Sequence, residues 1–200
     1  MLKEGLGRLF VGMGPFEFGN AAATLMILRA TELLTPSRGE NAAAQIALLL
    51  YAGYNLAGTL ASLPGGHLSD RHSAVHSMVV GAAAFLIAHL IFAAAGPGIL
   101  VLLVAFVLAG VGIGFAETAE AAAVASMTDE SIRGSAFGLL AGLQSLGNFA
   151  ASAIAGLLWT TVSPTVAFLW LSAWMAIAHR PTHYSSSPTV TEMSGCSSLG

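Results

Sequence analysis

Glu17 and Asn20 are the first pair of residues whose types and spacing could do chemistry. They lie three positions apart in an apolar stretch, so a helix would place both on one face, which Thr24 continues. A carboxylate in such surroundings is costly and is a functional candidate by default. It could bind a proton or a cationic substrate, or it could be protonated and hydrogen-bond a neighbouring helix. We predict that Glu17 and Asn20 bind substrate or protons, with packing as the alternative.

Glu117 and Glu120 form a second pair at the same spacing, at the end of another apolar run. Two carboxylates this close suit proton exchange. The alternative is that both are hydrated at the membrane interface, or that they hold the nearby loop. We predict a gating role for both residues.

Neutral polar residues offer weaker candidates. Gln144 and Asn148 share a helix face at a spacing of four, and they could line a pathway or clamp adjacent helices. The same two interpretations apply to the polar group of Tyr51, Tyr54 and Asn55. His89 has no second ligand at metal spacing, which favours packing.

Catalytic and metal motifs are not apparent in the sequence. No serine is accompanied by a histidine and an acid at a spacing typical of a catalytic motif, and no HExxH-type motif occurs. We therefore predict no catalytic residues, no metal site and no cofactor other than a possible coupling proton. An intramembrane enzyme is the weak alternative.

Composition identifies the solvent in which these residues must be positioned. Hydrophobic residues make up 56% of the chain and charged residues only 8%. A soluble domain usually carries roughly 25% charged residues. No basic patch suggests nucleic acid, and the single cysteine, Cys196, cannot form an internal disulfide. The chain is predicted to be an integral membrane protein whose first partner is the lipid bilayer.

Apolar runs of about 20 residues, the length needed to span a bilayer, predict an all-α polytopic membrane protein with six transmembrane helices. The predicted spans are Leu9–Leu28, Ala43–Leu63, Val75–Ala94, Ile99–Ala119, Ala136–Trp159 and Val162–Ala178. Polar, charged or breaker-rich connections separate them, including charged loops around Ser69–Ser73 and Thr128–Gly134. Glycine pairs such as Gly110 and Gly114, and a stripe from Gly138 and Gly142 through Gly147, predict close helix packing.

Basic residues alternate between the two sides of the predicted bundle. One side carries Lys3, Arg8, Arg71, Arg133 and Arg180, and the other carries Arg38, with Arg29 nearest to it. The positive-inside rule puts the first group in the cytoplasm, so both termini are predicted to be cytoplasmic. Residues 1–179 would form the membrane domain. Residues 180–200 are polar and predict a disordered cytoplasmic tail.

The segment Gly66–Arg71 resembles the Gly-x-Leu-Ala/Ser-Asp-Arg signature of the major facilitator superfamily. Phe18–Asn20, Leu28–Ala30 and Glu117–Gly138 also resemble bacterial members, especially their C-terminal six-helix half. The resemblance implies half of a bundle built from two inverted three-helix repeats. It implies secondary transport of a small organic solute across the cell's inner (plasma) membrane by alternating access, with proton-coupled efflux by an antiporter as one expected form.

The resemblance also implies a cytoplasmic gate that includes Asp70 and Arg71, with Arg133 as a further candidate. The family's loop usually continues with glycine and basic residues, whereas this chain has Ser73–Val75 there, which would weaken the gate. The other departure is larger, because an N-terminal half is missing. We expect either a half-transporter that pairs with a second half or a second copy, or a truncated, non-transporting membrane fragment.

Overall fold

A computed structural model describes residues 4–180, and this part of the chain is helical without a strand. Its helices are α1 (Glu4–Gly19), α2 (Ala23–Arg38), α3 (Glu40–Arg71), α4 (Ala74–Ala94), α5 (Ile99–Met127), α6 (Arg133–Thr161) and α7 (Pro164–Ala178). The all-α prediction is confirmed for these residues. The predicted disordered tail beyond Arg180 lies outside them, as does Lys3.

Four helices of the described part, α3 to α6, are long and apolar enough to cross a membrane. The apolar helix α7 has only 15 residues. The first predicted span, Leu9–Leu28, is not one helix but two, since α1 and α2 have 16 residues each and are separated at Asn20–Ala22. Four of the six predicted spans are therefore continuous helices of sufficient length and hydrophobicity to cross a membrane.

The break between α1 and α2 begins at Gly19 and Asn20, two residue types that favour helices poorly. The amide of Asn20 turns back to the carbonyl of Glu17, and that of Ala21 to the carbonyl of Gly19. Thr24, predicted to continue the face of Glu17, instead lies in α2 and is exposed. The prediction of one continuous polar face is wrong because the helix does not continue through this point.

The connections before and after α3 are shorter than the polar residues of the sequence indicate. Helix α3 continues to Arg71, so Asp70 and Arg71 lie in its last turn and not in a loop. A single residue, Gly39, separates α2 from α3. Its φ of 78° lies in the left-handed region that favours glycine. In both places the helix includes polar residues that we predicted to lie in connections.

Helices α3 and α5 approach closely at the predicted glycine pair. A Cβ atom at Gly110 would meet the carbonyl oxygen of Tyr54, and one at Gly114 would meet that of Gly58. Ser77 of α4 joins the same contact by donating to the carbonyl oxygens of Gly65 at 3.2 Å and Phe115 at 3.0 Å. Small residues therefore set the spacing of three helices.

Helix α4 occupies the core, and its aromatic side chains bind α1, α5 and α7 together. Phe85 contacts Phe16 edge-on, and Phe92 contacts both Phe106 and Phe168. His89 is buried between Phe85 and Phe168, at ring distances of 5.5 and 6.0 Å. This environment agrees with the packing interpretation of His89.

The predicted glycine stripe of α6 is only partly a packing surface. Gly147 lies directly against Glu17 of α1, and Ala151 and Ala155 are buried. A Cβ atom at Gly138 or Gly142 would meet nothing within 4 Å. The prediction is wrong for these two glycines, because they lie on the exposed face of α6.

Candidate functional site

A polar cleft of about 540 Å³ opens between α1, α5 and α6, a size typical of small-molecule sites. Three of the predicted binding residues, Glu17, Gln144 and Asn148, line it with Asn20 at the helix break. The remaining lining residues are Phe16, Ala22, Ile113, Glu117, Ser145, Phe149 and Ser152. The structure thus brings the four predicted substrate- or proton-binding residues to one cleft.

Glu17 and Glu120 meet inside the bundle although they come from different helices. The two side chains are 2% and 1% exposed, and their carboxyl groups are close enough to interact directly. One oxygen of each, Oε2 of Glu17 and Oε1 of Glu120, is buried with no hydrogen-bond donor among the described residues. A proton between the two groups would supply the donor that they lack and would remove one buried charge.

Gln144 supports this carboxyl pair from α6. Its Nε2 donates a hydrogen bond to Oε2 of Glu120 at 2.7 Å. The hydrogen bond joins two helices whose contact is otherwise limited, so Gln144 combines the two roles that the sequence left open. It clamps α6 to α5, and it lines the cleft.

The break in the first span is held by two α6 side chains, four residues apart. Asn148 donates from Nδ2 to the carbonyl oxygen of Asn20 at 2.8 Å. Ser152 accepts from the backbone N–H of Ala22, also at 2.8 Å. Non-helical backbone inside a membrane requires such partners, since lipid supplies none. Ser152 was missed by sequence reasoning, although its spacing from Asn148 indicates the same helix face.

A second, smaller cleft of about 310 Å³ lies between α3 and α5. Its polar lining comes from one face of α3, with Tyr51, Tyr54, Asn55, Thr59 and Ser62, and from Glu117 of α5. Glu117 and Ile113 line both clefts, so the two clefts meet at these residues. The structure therefore extends the candidate site to the tyrosine group of α3.

The predicted pair of Glu117 and Glu120 separates in the structure. Helix α5 continues to Met127, so both residues lie well within the helix and not at its end. Glu117 is exposed toward the clefts, whereas Glu120 is buried against Glu17. Hydrophobicity falls before the helix ends, so the predicted position of both residues near the end of the apolar run stays a prediction. The gating role itself stays a prediction.

The other predicted gating residues lie away from the clefts. Asp70 and Arg71 are exposed in the last turn of α3, and Arg133 is exposed at the first residue of α6. Asp70 lines a separate cavity of about 340 Å³ with residues of α1, α4 and α5. All three residues belong to the same end of the antiparallel helices, as a gate at one membrane face requires.

The sequence of this chain was compared with protein families and with known proteins. A family model described as Major Facilitator Superfamily matches residues 9–182. An uncharacterized MFS-type transporter of Methanocaldococcus jannaschii is 33% identical over 156 residues, which is 78% of this chain and 38% of that protein.

Two crystal structures of a mutant peptide transporter POT share the fold. The complex with sulfate has a TM-score of 0.68 at 20% identity, covering 88% of this chain and 36% of that chain. The complex with alafosfalin has a TM-score of 0.70 at 19% identity, covering 90% and 37%. This chain therefore spans well under half the length of the proteins that it matches.

Proposed function

Since the chain belongs to the major facilitator superfamily, we propose that it acts as one six-helix half of a secondary active transporter. It is a multi-pass membrane protein of a transporter family and not of an enzyme family. In the proposal it moves a small organic solute across the plasma membrane, coupled to protons. A second half, or a second copy of this chain, would complete the pathway.

The buried contact between Glu17 and Glu120 is the observation that carries the proposal. A carboxyl pair in which one oxygen of each group lacks a donor, next to a cleft, can hold a proton in one state and release it when the cleft hydrates. Glu17 lies in α1 one turn before the helix break and packs against Gly147 of α6, so a change in its charge would act directly on the contact between α1 and α6. Proton binding and helix movement are then linked at one place.

The polar clefts support a pathway between two halves. Helices α3 and α6 carry exposed polar side chains, including Asn55 and Ser145, on surfaces that this chain leaves uncovered. Polar groups facing lipid are unfavourable, so a second half is the natural cover for them. Rocking of two such halves would expose the site alternately to each side.

The distribution of basic residues supports an orientation. Arg71, Arg133 and Arg180 belong to one end of the bundle, and Arg38 lies at the other. We propose that the first end is cytoplasmic, which puts both termini inside the cell. Asp70 and Arg71 would then form part of a cytoplasmic gate, with Arg133 near them on the same side.

Flux measurements in liposomes test the proposal. The full chain, and a tandem fusion of two copies, are reconstituted in vesicles loaded with labelled benzyltrimethylammonium, alanylalanine, toluenesulfonate or mannitol. An inward proton gradient should drive loss of one solute class and proton entry reported by internal pyranine. Glu120→Gln should abolish the coupled flux, whereas Glu40→Gln, an exposed acid outside the clefts, should not.

A negative result has a defined meaning. If no solute leaves the vesicles in either form, the transport proposal fails, and the chain is a non-transporting membrane fragment. The same conclusion follows if solute leaves but the proton gradient and Glu120→Gln have no effect, since uncoupled leakage does not need the carboxyl pair.

A further inference from the structure

The aromatic pair of α3, Tyr51 and Tyr54, forms a second surface that could bind a ligand, apart from the carboxyl pair of Glu17 and Glu120. The rings of Tyr51 and Tyr54 are stacked, with centroids 5.5 Å apart and an angle of 19° between planes. Both side chains are half-buried and line the cleft that they share with Glu117. The faces of aromatic rings attract cations, and a tyrosine pair presents such faces at a fixed position.

Glu117 supplies the matching charge. Its carboxyl group is exposed at the meeting point of both clefts and lies close enough to Tyr54 to interact electrostatically. No Lys, Arg or His is among the residues that line either cleft. The carboxylate is therefore available to a ligand rather than neutralised by the described part of this chain.

A second carboxyl group points to the same ligand charge. Glu17 lines the larger cleft, and its Oε2 is buried without a hydrogen-bond partner among residues 4–180. A buried carboxyl group beside the cleft disfavours an anionic ligand there through its charge when it is ionised. The described lining of the two clefts therefore carries two carboxyl groups and no basic side chain.

The larger cleft also offers an apolar surface beside Glu117. Phe149 and Ile113 line it, and Phe149 is 74% exposed in this chain. A ligand whose charged group contacts Glu117 could therefore place a hydrocarbon or aromatic body on these side chains. This combination of acid, ring faces and apolar wall matches an amphipathic cation.

From these observations we infer that the cargo is a monovalent organic cation with an apolar body, bound by Glu117 and the rings of Tyr51 and Tyr54. The inference rests on the proposed transport function and names its substrate class. Glu117 interacts electrostatically with both Glu17 and Glu120. A cation at Glu117 and a proton at the carboxyl pair therefore repel each other, which favours their exchange over their co-transport.

Equilibrium binding tests the substrate class without requiring transport. The full chain in nanodiscs is titrated with tritiated benzyltrimethylammonium, and protein-free nanodiscs measure partition into lipid. Unlabelled benzyltrimethylammonium should displace the label, whereas its neutral isostere neopentylbenzene and the anion toluenesulfonate should not. Displacement by all three alike would overturn the inference, because recognition would then depend on shape or lipid partition and not on charge.

Variants with matched controls test which residues bind the cation. Glu117→Gln should weaken binding at least about tenfold, while Glu40→Gln, at the first residue of α3 and outside both clefts, leaves it unchanged. Tyr51→Leu and Tyr54→Leu should each weaken it by about threefold to thirtyfold, and the Phe variants should retain it. Equal binding by the Leu and Phe variants, with monodisperse protein in each case, would remove the tyrosines from the site.

The two proposals fail in different ways. Cation binding without any solute flux contradicts the transport proposal and supports the ligand class. Proton-coupled flux of toluenesulfonate or mannitol, with no binding of benzyltrimethylammonium, supports transport and overturns the cation inference.

Discussion

Nδ2 of Asn148 donates a hydrogen bond to the backbone carbonyl oxygen of Asn20 over 2.8 Å, although 128 positions separate the two residues. The carbonyl is free only because the first span breaks at this point. A polar side chain in α6 thus replaces a backbone hydrogen bond that is lost at the break between α1 and α2. The broken span and α6 therefore depend on each other for hydrogen bonding in the membrane.

The first prediction concerns this hydrogen bond. Asn148→Ala should lower the free energy of unfolding by about 1 to 3 kcal/mol, because the carbonyl of Asn20 loses its partner. Amide hydrogen exchange should increase in the segment Ala21–Leu25. Asn41→Ala, an exposed position at the start of α3, is the control and should change neither quantity. Unchanged exchange in Asn148→Ala would show that the break does not need this side chain.

The second prediction concerns the contact between α6 and α1. In Gly147→Ala the new Cβ atom would collide with Cβ of Glu17 and approach its backbone atoms. We expect a lower melting temperature and loss of proton-coupled flux, because α1 must move away from α6. Gly142→Ala lies on the same helix with nothing within 4 Å, and it should behave like the parent chain. Equal melting temperatures would contradict the close contact.

The third prediction concerns the approach of α3 to α5. Gly110→Ala would push the new methyl group into the carbonyl oxygen of Tyr54 and separate the two helices. Benzyltrimethylammonium binding should weaken, because Tyr54 and Glu117 come from opposite sides of this contact. Gly138→Ala is the matched control in open space. Retained binding together with retained stability would show that this spacing does not form the site.

The fourth prediction concerns Arg29, whose side chain is 12% exposed and joins α2 to α4. Its Nε donates to the carbonyl oxygen of Phe92 at 3.4 Å, and its Nη1 pairs with Glu32 at 3.2 Å. Arg29→Gln should reduce thermal stability by about 1 kcal/mol or more, since a charged donor is lost at the end of α4.

Glu32→Gln is the control for Arg29, because it removes only the exposed partner of the ion pair. Exposed ion pairs contribute about 0 to 1 kcal/mol, so its melting temperature should stay close to that of the parent chain. If Glu32→Gln were as destabilising as Arg29→Gln, the ion pair and not the hydrogen bond to Phe92 would carry the effect.

The fifth prediction concerns the gate. Asp70→Asn should reduce solute flux while leaving the amount of protein in the membrane and its melting temperature nearly unchanged, since Asp70 is exposed at a helix end. Flux is measured in the liposome assay at matched protein density. Parent-level flux would remove Asp70 from the gate.

Local sequence pattern was sufficient for the long helices. The apolar run of Val75–Ala94 predicted α4 to within one residue, and Gly110 with Gly114 indicated a true close approach. Such features follow from hydrophobicity and side-chain size within one segment. Helix ends were less predictable, because α3 and α5 continue through polar residues after the apolar run stops.

The connections within the site could not be predicted in the same way. Glu17 was identified as a candidate, but its contact with Glu120 depends on how α1 packs against α5. The break at Asn20 is stabilised by α6. The sequence around Asn20 does not indicate this, because the stabilising residues lie more than 100 positions further along the chain. Tyr51 and Tyr54 were noted as polar, but their relation to Glu117 depends on the close approach of α3 to α5.

Helix α7 has a consequence for the surrounding lipid. Its 15 residues extend for only about 22 Å, whereas the hydrocarbon core of a bilayer is about 30 Å thick. Its neighbour α4, with 21 residues, matches that thickness. The hydrophobic mismatch at α7 favours local thinning of the bilayer beside this helix.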